Sequence, residues 1–422
     1  MGNKLQQIGC DCFHESKKEN SKTNMETKPL NTSQDSTKPK KNFKVNQHNE
    51  DATLISKNLT PEKKISLNDF LVERVIGRGA FGKVLLVKKE NTNIINSKYY
   101  AMKIIRKKDI YKHQLEENIV LEKYILSKQK HPFIVDLKYA FQTTNKIYLI
   151  MEYISGGELF KLLRKVKKFN EESAKFYMAE VLLAIEFLHK KMNVIYRDLK
   201  PENILLTERG HIKITDFGLS KKNDGKAYTI VGTVEYLAPE VLTKVGHTSS
   251  VDYWGLGILL YEMLAGYPPF TAPHRNFDVI EKLIIENKPF YPDYFSKESV
   301  DLVRKLTDSD PEKRLGTKTI NDIKNHPFFK GVNWSDVLNL KLTPAYTVKN
   351  NIIKDLNTNN GGNFREIKET LCSSSKNLPN LAGITYNNDA FESNNLTGSN
   401  IIQNSNSENH VDSPLRQSDF KR

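Results

Sequence analysis

Residues 196–203 read Tyr196-Arg197-Asp198-Leu199-Lys200-Pro201-Glu202-Asn203, and the segment they lead into ends at Asp216-Phe217-Gly218. Two short apolar runs, Asn203 to Leu206 and His211 to Thr215, flank the polar turn Thr207-Glu208-Arg209-Gly210. Apolar runs on either side of a polar turn with Gly predict a β-hairpin. A hairpin brings the outer ends of its two strands together, so Asn203 and Asp216 are expected side by side at its open end. Asp198 lies just upstream, in the loop that feeds the first strand. One carboxamide and two carboxylates therefore converge. Hard oxygen ligands of this kind suit Mg²⁺, which takes one or two carboxylates together with substrate phosphates.

Toward the N-terminus, strands are predicted at Phe70 to Ile76 and Lys83 to Val87, joined by Gly77-Arg78-Gly79-Ala80-Phe81-Gly82. Glycines let a backbone approach phosphates closely. A dinucleotide-binding loop leads from a strand into a helix, whereas this one links two strands. In the next strand, Tyr99 to Ile105, alternation puts Ala101 and Lys103 on one face. The small Ala101 leaves room for a flat base, and Lys103 can reach phosphates. Residues 114–128 read as a helix with Leu115, Ile119, Glu122 and Leu126 on one face. Glu122 is costly in that apolar stripe unless paired, and Lys103 is its natural partner. A further strand, Thr143 to Tyr153, ends in Met151-Glu152-Tyr153, and Gly156-Gly157 then breaks the chain. Glu172 to His189 is an amphipathic helix with Phe176, Leu183 and Phe187 on one face. Val251 to Leu264 is apolar on nearly all sides, so it is expected to be buried, with Asp252 in need of partners.

The 198–218 arrangement resembles the catalytic and metal-binding loops of eukaryotic protein kinases. The resemblance implies an α+β, two-lobed fold: a small antiparallel sheet with one main helix above a larger helical lobe, with MgATP in the cleft. It implies that Asp198 is the catalytic base, that Asn203 and Asp216 hold Mg²⁺, and that Lys103, paired with Glu122, positions phosphates. Ile76, Gly77, Arg78, Gly79, Ala80, Phe81, Gly82, Lys83 and Val84 would cover the nucleotide. Ala101, Met151, Glu152, Ile154, Glu158, Leu205 and Thr215 would line the rest of its site. Glu240 and Arg314 match the family's structural ion pair, and Asp252 the residue that orders the catalytic loop. Thr233 resembles the residue that supports the catalytic Asp.

Tyr196 before Arg-Asp, Gly266-Tyr267-Pro268-Pro269-Phe270 and the C-terminal segment resemble the AGC group of serine/threonine kinases. Lys200 would contact the transferring phosphoryl, and Glu158, Glu202 and Glu262 match acids that receive substrate Arg residues. Thr229 lies in a stretch resembling the phosphorylated activation segment, where a phosphate would pair with cations such as Arg197. Residues 331–386 resemble the AGC C-terminal extension, including Leu342-Thr343-Pro344-Ala345-Tyr346 and Asn363-Phe364-Arg365-Glu366. Leu381-Ala382-Gly383-Ile384-Thr385-Tyr386 stands where a hydrophobic motif docks beside the Glu122 helix, with Leu381 and Ile384 in place of Phe. Thr385 is its candidate phosphosite, and an upstream activating kinase would dock through this motif.

The expected organisation is a disordered tail over 1–69, a kinase domain over 70–329 (lobes 70–153 and 154–329), an extension over 330–386 and a second disordered tail over 387–422. The tails account for the low hydrophobic content of 38%. Met1-Gly2-Asn3-Lys4 invites myristoylation at Gly2, with Gln6 where Ser or Thr is usual, and Cys10 and Cys12 could carry a second acyl chain. Three Cys make no disulfide framework, and no secretory signal peptide or spanning apolar run is visible. The expectation is a cytoplasmic monomer, attached to membrane if acylated. A net charge of +14 suggests nucleic acid or an anionic membrane, but no nucleic-acid motif accompanies it, and Lys-rich solvated surface explains it. A pseudokinase scaffold is the rival class, signalled by loss of Lys103, Asp198, Asn203 or Asp216; all are present.

Overall fold

The computed structural model describes residues 65–79, 82–89, 99–347, 371 and 378–387. Gly2, Cys10, Cys12, Ala80, Phe81 and the stretch 363–366 lie outside these residues, as do most of both expected tails.

Among the described residues, a six-stranded antiparallel sheet runs in the order β1-β2-β3-β5-β4-β10. Its strands are β1 (Phe70–Gly79), β2 (Gly82–Lys89), β3 (Tyr99–Arg106), β4 (Leu137–Gln142), β5 (Lys146–Glu152) and β10 (Tyr386–Asn387). Strands β1 and β2 run into the glycine loop, with Gly77 opposite Val84 and Gly79 opposite Gly82. A Cβ at Gly82 would meet the Ile104 carbonyl oxygen at 1.7 Å, so only glycine fits where β2 leaves that loop. One sheet face packs Phe70, Tyr100, Tyr139, Phe141 and Tyr148 into a small aromatic core. The opposite face carries Ala101, Lys103 and Met151.

Two helices follow β3: α1 (Lys107–His113) and α2 (Glu116–Lys128). The helix expected from residue 114 therefore starts two residues later. Gln114 is left-handed (φ 54°) and ends α1 instead. Ile119, Glu122, Ile125 and Leu126 form the buried face of α2. The strand expected from Thr143 starts at Lys146, because Thr143 closes the β4–β5 turn through its N–H to the Lys146 carbonyl (2.9 Å).

The larger lobe is helical: α3 (Leu159–Val166), α4 (Glu171–Lys190), α5 (Pro239–Leu242), α6 (Ser250–Ala265), α7 (Phe277–Glu286), α8 (Lys297–Leu306), α9 (Ile320–Lys324) and α10 (Trp334–Leu338). Asn170 caps α4 by accepting the Ser173 N–H. Every residue of α6 is buried, as its all-round apolar sequence requires, and Gly266 ends it in the left-handed region. Two small antiparallel ribbons lie between α4 and α5: β6 (Val194–Ile195) with β9 (Lys221–Lys222), and β7 (Ile204–Leu206) with β8 (Ile212–Ile214).

The hairpin β7–β8 is the one expected around Thr207–Gly210, but its register differs by one residue. Ile204 pairs with Ile214, so the Thr215 N–H reaches the Asn203 carbonyl (3.0 Å) and Asp216 lies one residue further out. The turn decides this: Gly210 N–H bonds the Thr207 carbonyl and the Thr207 N–H bonds the His211 carbonyl, so Thr207 faces His211 and the pairing runs from there to Ile204 opposite Ile214.

Beyond α10, the Tyr346 ring packs at a tilt against Phe169 with centroids 5.5 Å apart. The segment 378–387 returns to the sheet. Tyr386 pairs with Ala140 of β4, Ile384 is fully buried, and Leu381 is partly buried beside it.

Candidate active site

Register puts Val84 opposite Lys103, and Ala101 opposite Met151, so these four side chains share one sheet face. That face looks onto the hairpin β7–β8, because Lys103 crosses the cleft to Asp216 Oδ1 (2.9 Å) while its amine also binds Glu122 Oε1 (2.6 Å). Burial disfavours the ammonium, yet the carboxylates of Asp216 and Glu122 outweigh it and hold Lys103 above the usual lysine range. The Lys103 charge in turn keeps Asp216 below the usual carboxylate range. Burial pushes Glu122 up, against the pull of Lys103.

On the opposite wall, Asp198 is buried in the loop after β6. Lys200 Nζ reaches both of its carboxylate oxygens at 2.9 Å and also the Thr233 hydroxyl at 3.0 Å. Thr233 therefore meets Asp198 through Lys200. Asn203 Nδ2 donates to the Asp198 carbonyl (2.9 Å) and to its Oδ2 (2.7 Å). Burial raises the Asp198 pKa, only partly opposed by Lys200. Arg197 and Asp216 both sit at positive φ (67° and 59°), a conformation that non-glycine residues keep only when their surroundings hold them.

These residues fit a nucleotide-bound divalent cation. Asn203 commits its amide nitrogen to Asp198, which leaves its oxygen to face a cation. The Asp216 side chain is 51% exposed and its pKa is depressed, so it presents negative charge toward the opening. An oxygen-only donor set of one carboxamide and one or two carboxylates is what Mg²⁺ takes alongside phosphates.

The chain passes from the sheet to the helical lobe after β5. Glu152 accepts the Asp136 N–H (2.9 Å) and the Lys213 ammonium (2.7 Å) through its side chain, and its own N–H bonds the Asp136 carbonyl (3.0 Å). After Ile154 the chain is pinned to the hairpin: Gly156 N–H bonds the Leu206 carbonyl, and Leu206 N–H bonds that of Gly157, at 2.8 Å each. A Cβ on Gly156 would lie 2.3 Å from the Leu206 oxygen, so glycine is required there. Glu158 bridges Leu205 through its backbone and pairs with Lys161 (3.3 Å). Ile76 to Gly79 and Gly82 to Val84 form the β1–β2 end above the cleft, and Thr215 lies directly before Asp216.

Of the acids expected to read basic residues, Glu202 and Glu262 both act on Tyr236. The Tyr236 hydroxyl donates to Glu262 Oε2 (2.6 Å), and burial raises the pKa of both groups. Thr229 is exposed, and its hydroxyl accepts from Arg197 Nη1 (3.1 Å). Thr385 is also exposed, beside the buried Ile384.

Several supporting contacts were not anticipated from sequence. The Tyr196 hydroxyl donates to the Thr215 carbonyl (2.6 Å), tying the loop before Asp198 to the strand before Asp216. Asn118 of α2 donates to the Gly218 carbonyl (3.3 Å). Lys107, fully buried, donates to the Pro379 carbonyl and the Asn380 side chain, and Gln142 exchanges two hydrogen bonds with the Leu381 backbone. A charge at Lys107 or a polar side chain at Gln142 carries no local sign of a partner more than 200 residues away.

Comparison with known proteins bears on the same residues. A family model of the protein kinase domain matches residues 70–329. The chain is 45% identical over 307 residues to protein kinase 3 of Dictyostelium discoideum, covering 70% of this chain and 33% of that protein. It is 44% identical over 306 residues to a RAC family serine/threonine-protein kinase homolog of the same organism, covering 71% of this chain and 66% of that one. It is 47% identical over 270 residues to the catalytic subunit of a cAMP-dependent protein kinase, also of Dictyostelium discoideum, covering 64% and 41%. The matches thus span between one third and just under two thirds of these relatives' length. The chain belongs to the protein kinase domain family, and within it to the AGC group.

Proposed function

We propose that this chain is a serine/threonine protein kinase that transfers the γ-phosphoryl of MgATP to Ser or Thr of proteins with basic residues before the acceptor. The observation that carries this reading is a pair of contact chains that meet in the cleft: Glu122–Lys103–Asp216, which crosses it, and Asn203–Asp198–Lys200 on the wall that Asp216 belongs to. Asn203 and Asp216 would hold Mg²⁺ with the nucleotide, and the bound ion would supply positive charge against the charge that develops on the transferring group. Asp198 orients the acceptor hydroxyl and takes its proton; a carboxylate whose pKa burial has raised is a better base for this. Lys103 positions phosphates, and Lys200, already beside Asp198, adds a second cation.

Glu158, Glu202 and Glu262 receive the substrate's basic residues in charge-assisted pairs. Phosphorylation at Thr229 activates: Arg197 already contacts that hydroxyl, and a phosphate there gains a charge-assisted bond. Thr385 is the second regulatory site, and an upstream activating kinase docks through 381–386. The enzyme works as a monomer in intracellular signalling, cytoplasmic or held at a membrane by acylation of Gly2 with Cys10 or Cys12.

Transfer of labelled phosphate from MgATP to an Arg-rich peptide tests the central claim. Wild type is expected to label the peptide and Asp198→Asn to lose that signal; equal signals refute catalysis. Labelling with a myristate analogue, lost in Gly2→Ala, tests acylation. A peptide array without preference for Arg or Lys would reject the assigned substrate class.

A further inference from the structure

Part of the chain's net charge of +14 is concentrated where α3 turns into α4. Arg164, Lys165, Lys167 and Lys168 lie there, all exposed. Lys167 has φ 71°, a backbone conformation that glycine or asparagine adopts at less cost. A lysine in that position is unexplained by the needs of the turn. The Lys167 carbonyl seats the turn on Gly266, where a Cβ would lie 2.2 Å from its oxygen. Lys168 Nζ lies over the Tyr294 ring, 3.4 Å from the centroid. Neither Lys167 nor Lys168 has an acidic partner among the described residues.

Three aromatic rings adjoin these cations. Tyr267 follows Gly266 directly and is 44% exposed, Tyr294 is 54% exposed, and Phe290 is 72% exposed. The segment carrying the last two is anchored to α6. The Tyr261 hydroxyl donates to the Phe290 carbonyl (2.6 Å), and the buried Phe295 ring packs on Tyr261 with centroids 5.4 Å apart. The backbone is thus held while the Phe290 ring stays in water. Lys288, two residues earlier, is exposed and has no acidic partner among the described residues. Asp293 is the one acid within 287–295. Exposed rings forgo the gain of burial, and apolar side chains rimmed by charge mark interaction surfaces.

We propose that this face, Lys167, Lys168 and Lys288 with Tyr267, Phe290 and Tyr294, binds the surface of an anionic lipid bilayer. Lysine is a compact point charge that needs no fixed partner geometry, which suits the diffuse negative charge of lipid headgroups. Recognition of individual carboxylates or phosphates on a protein favours the planar fork of arginine instead. Arg164 stands apart, since its charge acts on Glu262. Tyrosine rings sit well at headgroup level, lysine stems lie along apolar surface with the ammonium in water, and the Phe290 ring enters the acyl boundary. Each lysine near such a surface strengthens binding about fivefold. This surface acts independently of phosphoryl transfer and of acylation at Gly2. A single acyl chain anchors only marginally, and a basic face is the kind of second signal that makes anchoring stable.

The test is co-sedimentation of the full chain with vesicles of phosphatidylcholine, alone or mixed with phosphatidylserine. Gly2→Ala, Cys10→Ser and Cys12→Ser in every sample remove any acyl chain. Binding is expected on the mixed vesicles and not on the neutral ones, and it should weaken as salt is added. Lys167→Gln with Lys168→Gln is expected to weaken it about 20-fold, and Phe290→Ser about tenfold. The charge-matched control is Lys191→Gln, at the other end of α4, with Lys318→Gln; both lysines are exposed. An equal loss in this control would reduce the effect to net charge and overturn the proposal. So would wild-type binding by the Lys167/Lys168 and Phe290 variants, or equal binding to neutral vesicles. If those variants bind vesicles normally but lose retention on an immobilised acidic polypeptide, the face serves a protein partner and the lipid assignment falls. Melting temperature reports whether each variant folds. Should the Lys167/Lys168 variant fold poorly, Lys288→Gln with Phe290→Ser carries the comparison. Sedimentation reads no catalysis, so a failure of the phosphoryl-transfer reading leaves this result standing.

Discussion

Asp252 Oδ1 accepts the backbone N–H of Arg197 at 2.8 Å, from the first turn of a helix in which every residue is buried. Its second oxygen accepts the Tyr196 N–H (2.8 Å) and His189 Nε2 (2.7 Å). The buried helix thereby fixes the loop that holds Asp198, including the positive φ of Arg197. Asp252→Ala leaves three donors, the Tyr196 and Arg197 N–H groups and His189 Nε2, without their acceptor and is expected to cost about 3–5 kcal/mol. Phosphate transfer should fall further than the folded fraction does. Urea unfolding beside single-turnover rates measures both; wild-type stability would contradict the assignment.

Glu240 and Arg314 form a two-pronged pair at 2.6 and 2.9 Å, and their side chains are 3% and 0% exposed. Arg314→Met strands the carboxylate and is expected to destabilise by about 3–5 kcal/mol. Arg314→Met with Glu240→Leu should recover at least about 1 kcal/mol of that loss, since no charge is then stranded. Recovery stays incomplete because Arg314 also donates to the Asp308 and Ser250 carbonyls. A double-mutant cycle by thermal unfolding reads the result.

Two histidines make stability depend on pH. Burial, aided by Lys213, lowers His131 to about 4, and burial, aided by Arg197, lowers His247 to about 4. Unfolded, each takes up a proton near the ordinary value of about 6.5, so between about pH 6.5 and 4 the unfolded chain binds more protons. Stability therefore falls as pH drops through that window, by at most about 3 kcal/mol for each histidine. His247→Asn should flatten the slope of melting temperature against pH between 4 and 6.5. An unchanged slope would show that His247 already binds its proton in the folded chain.

Ile384 is fully buried against the core that contains α2, and Gln142 holds the Leu381 backbone at both ends (2.7 and 2.9 Å). Ile384→Ala is expected to cost about 2–4 kcal/mol, capped by the free energy at which the segment simply detaches. Hydrogen exchange should then accelerate in 378–387 and in α2, and peptide phosphorylation should fall through the loosened Glu122. If exchange speeds up in the segment while activity holds, the segment stabilises without positioning Glu122.

The elements legible in sequence were those whose signal is local. The hairpin around Thr207–Gly210, the strands carrying Lys103 and Met151, and the fully apolar α6 each announce themselves by period or by turn residues. Helices α1 and α3 and strand β4 were not anticipated. They are short, and a buried lysine such as Lys107 disguises the pattern by which a helix is recognised. The Lys103–Glu122 pair was legible because an acid in an apolar stripe demands a partner. The ion pair of Glu235 with Arg275 was not: both residues look like ordinary surface charges, 40 positions apart.

By itself, the sequence settled which chemistry the cleft could hold, because that depends on residue types and on spacings within single turns and strands. Only the tertiary structure decided the register that sets Asn203 opposite Thr215, the bridging of Asp198 and Thr233 by Lys200, and the seating of Ile384 beside α2. The physical reason is that local pattern fixes which face a side chain takes. Which partner it meets there depends on how distant segments fill the same space, where a single residue of register or one buried charge changes the answer.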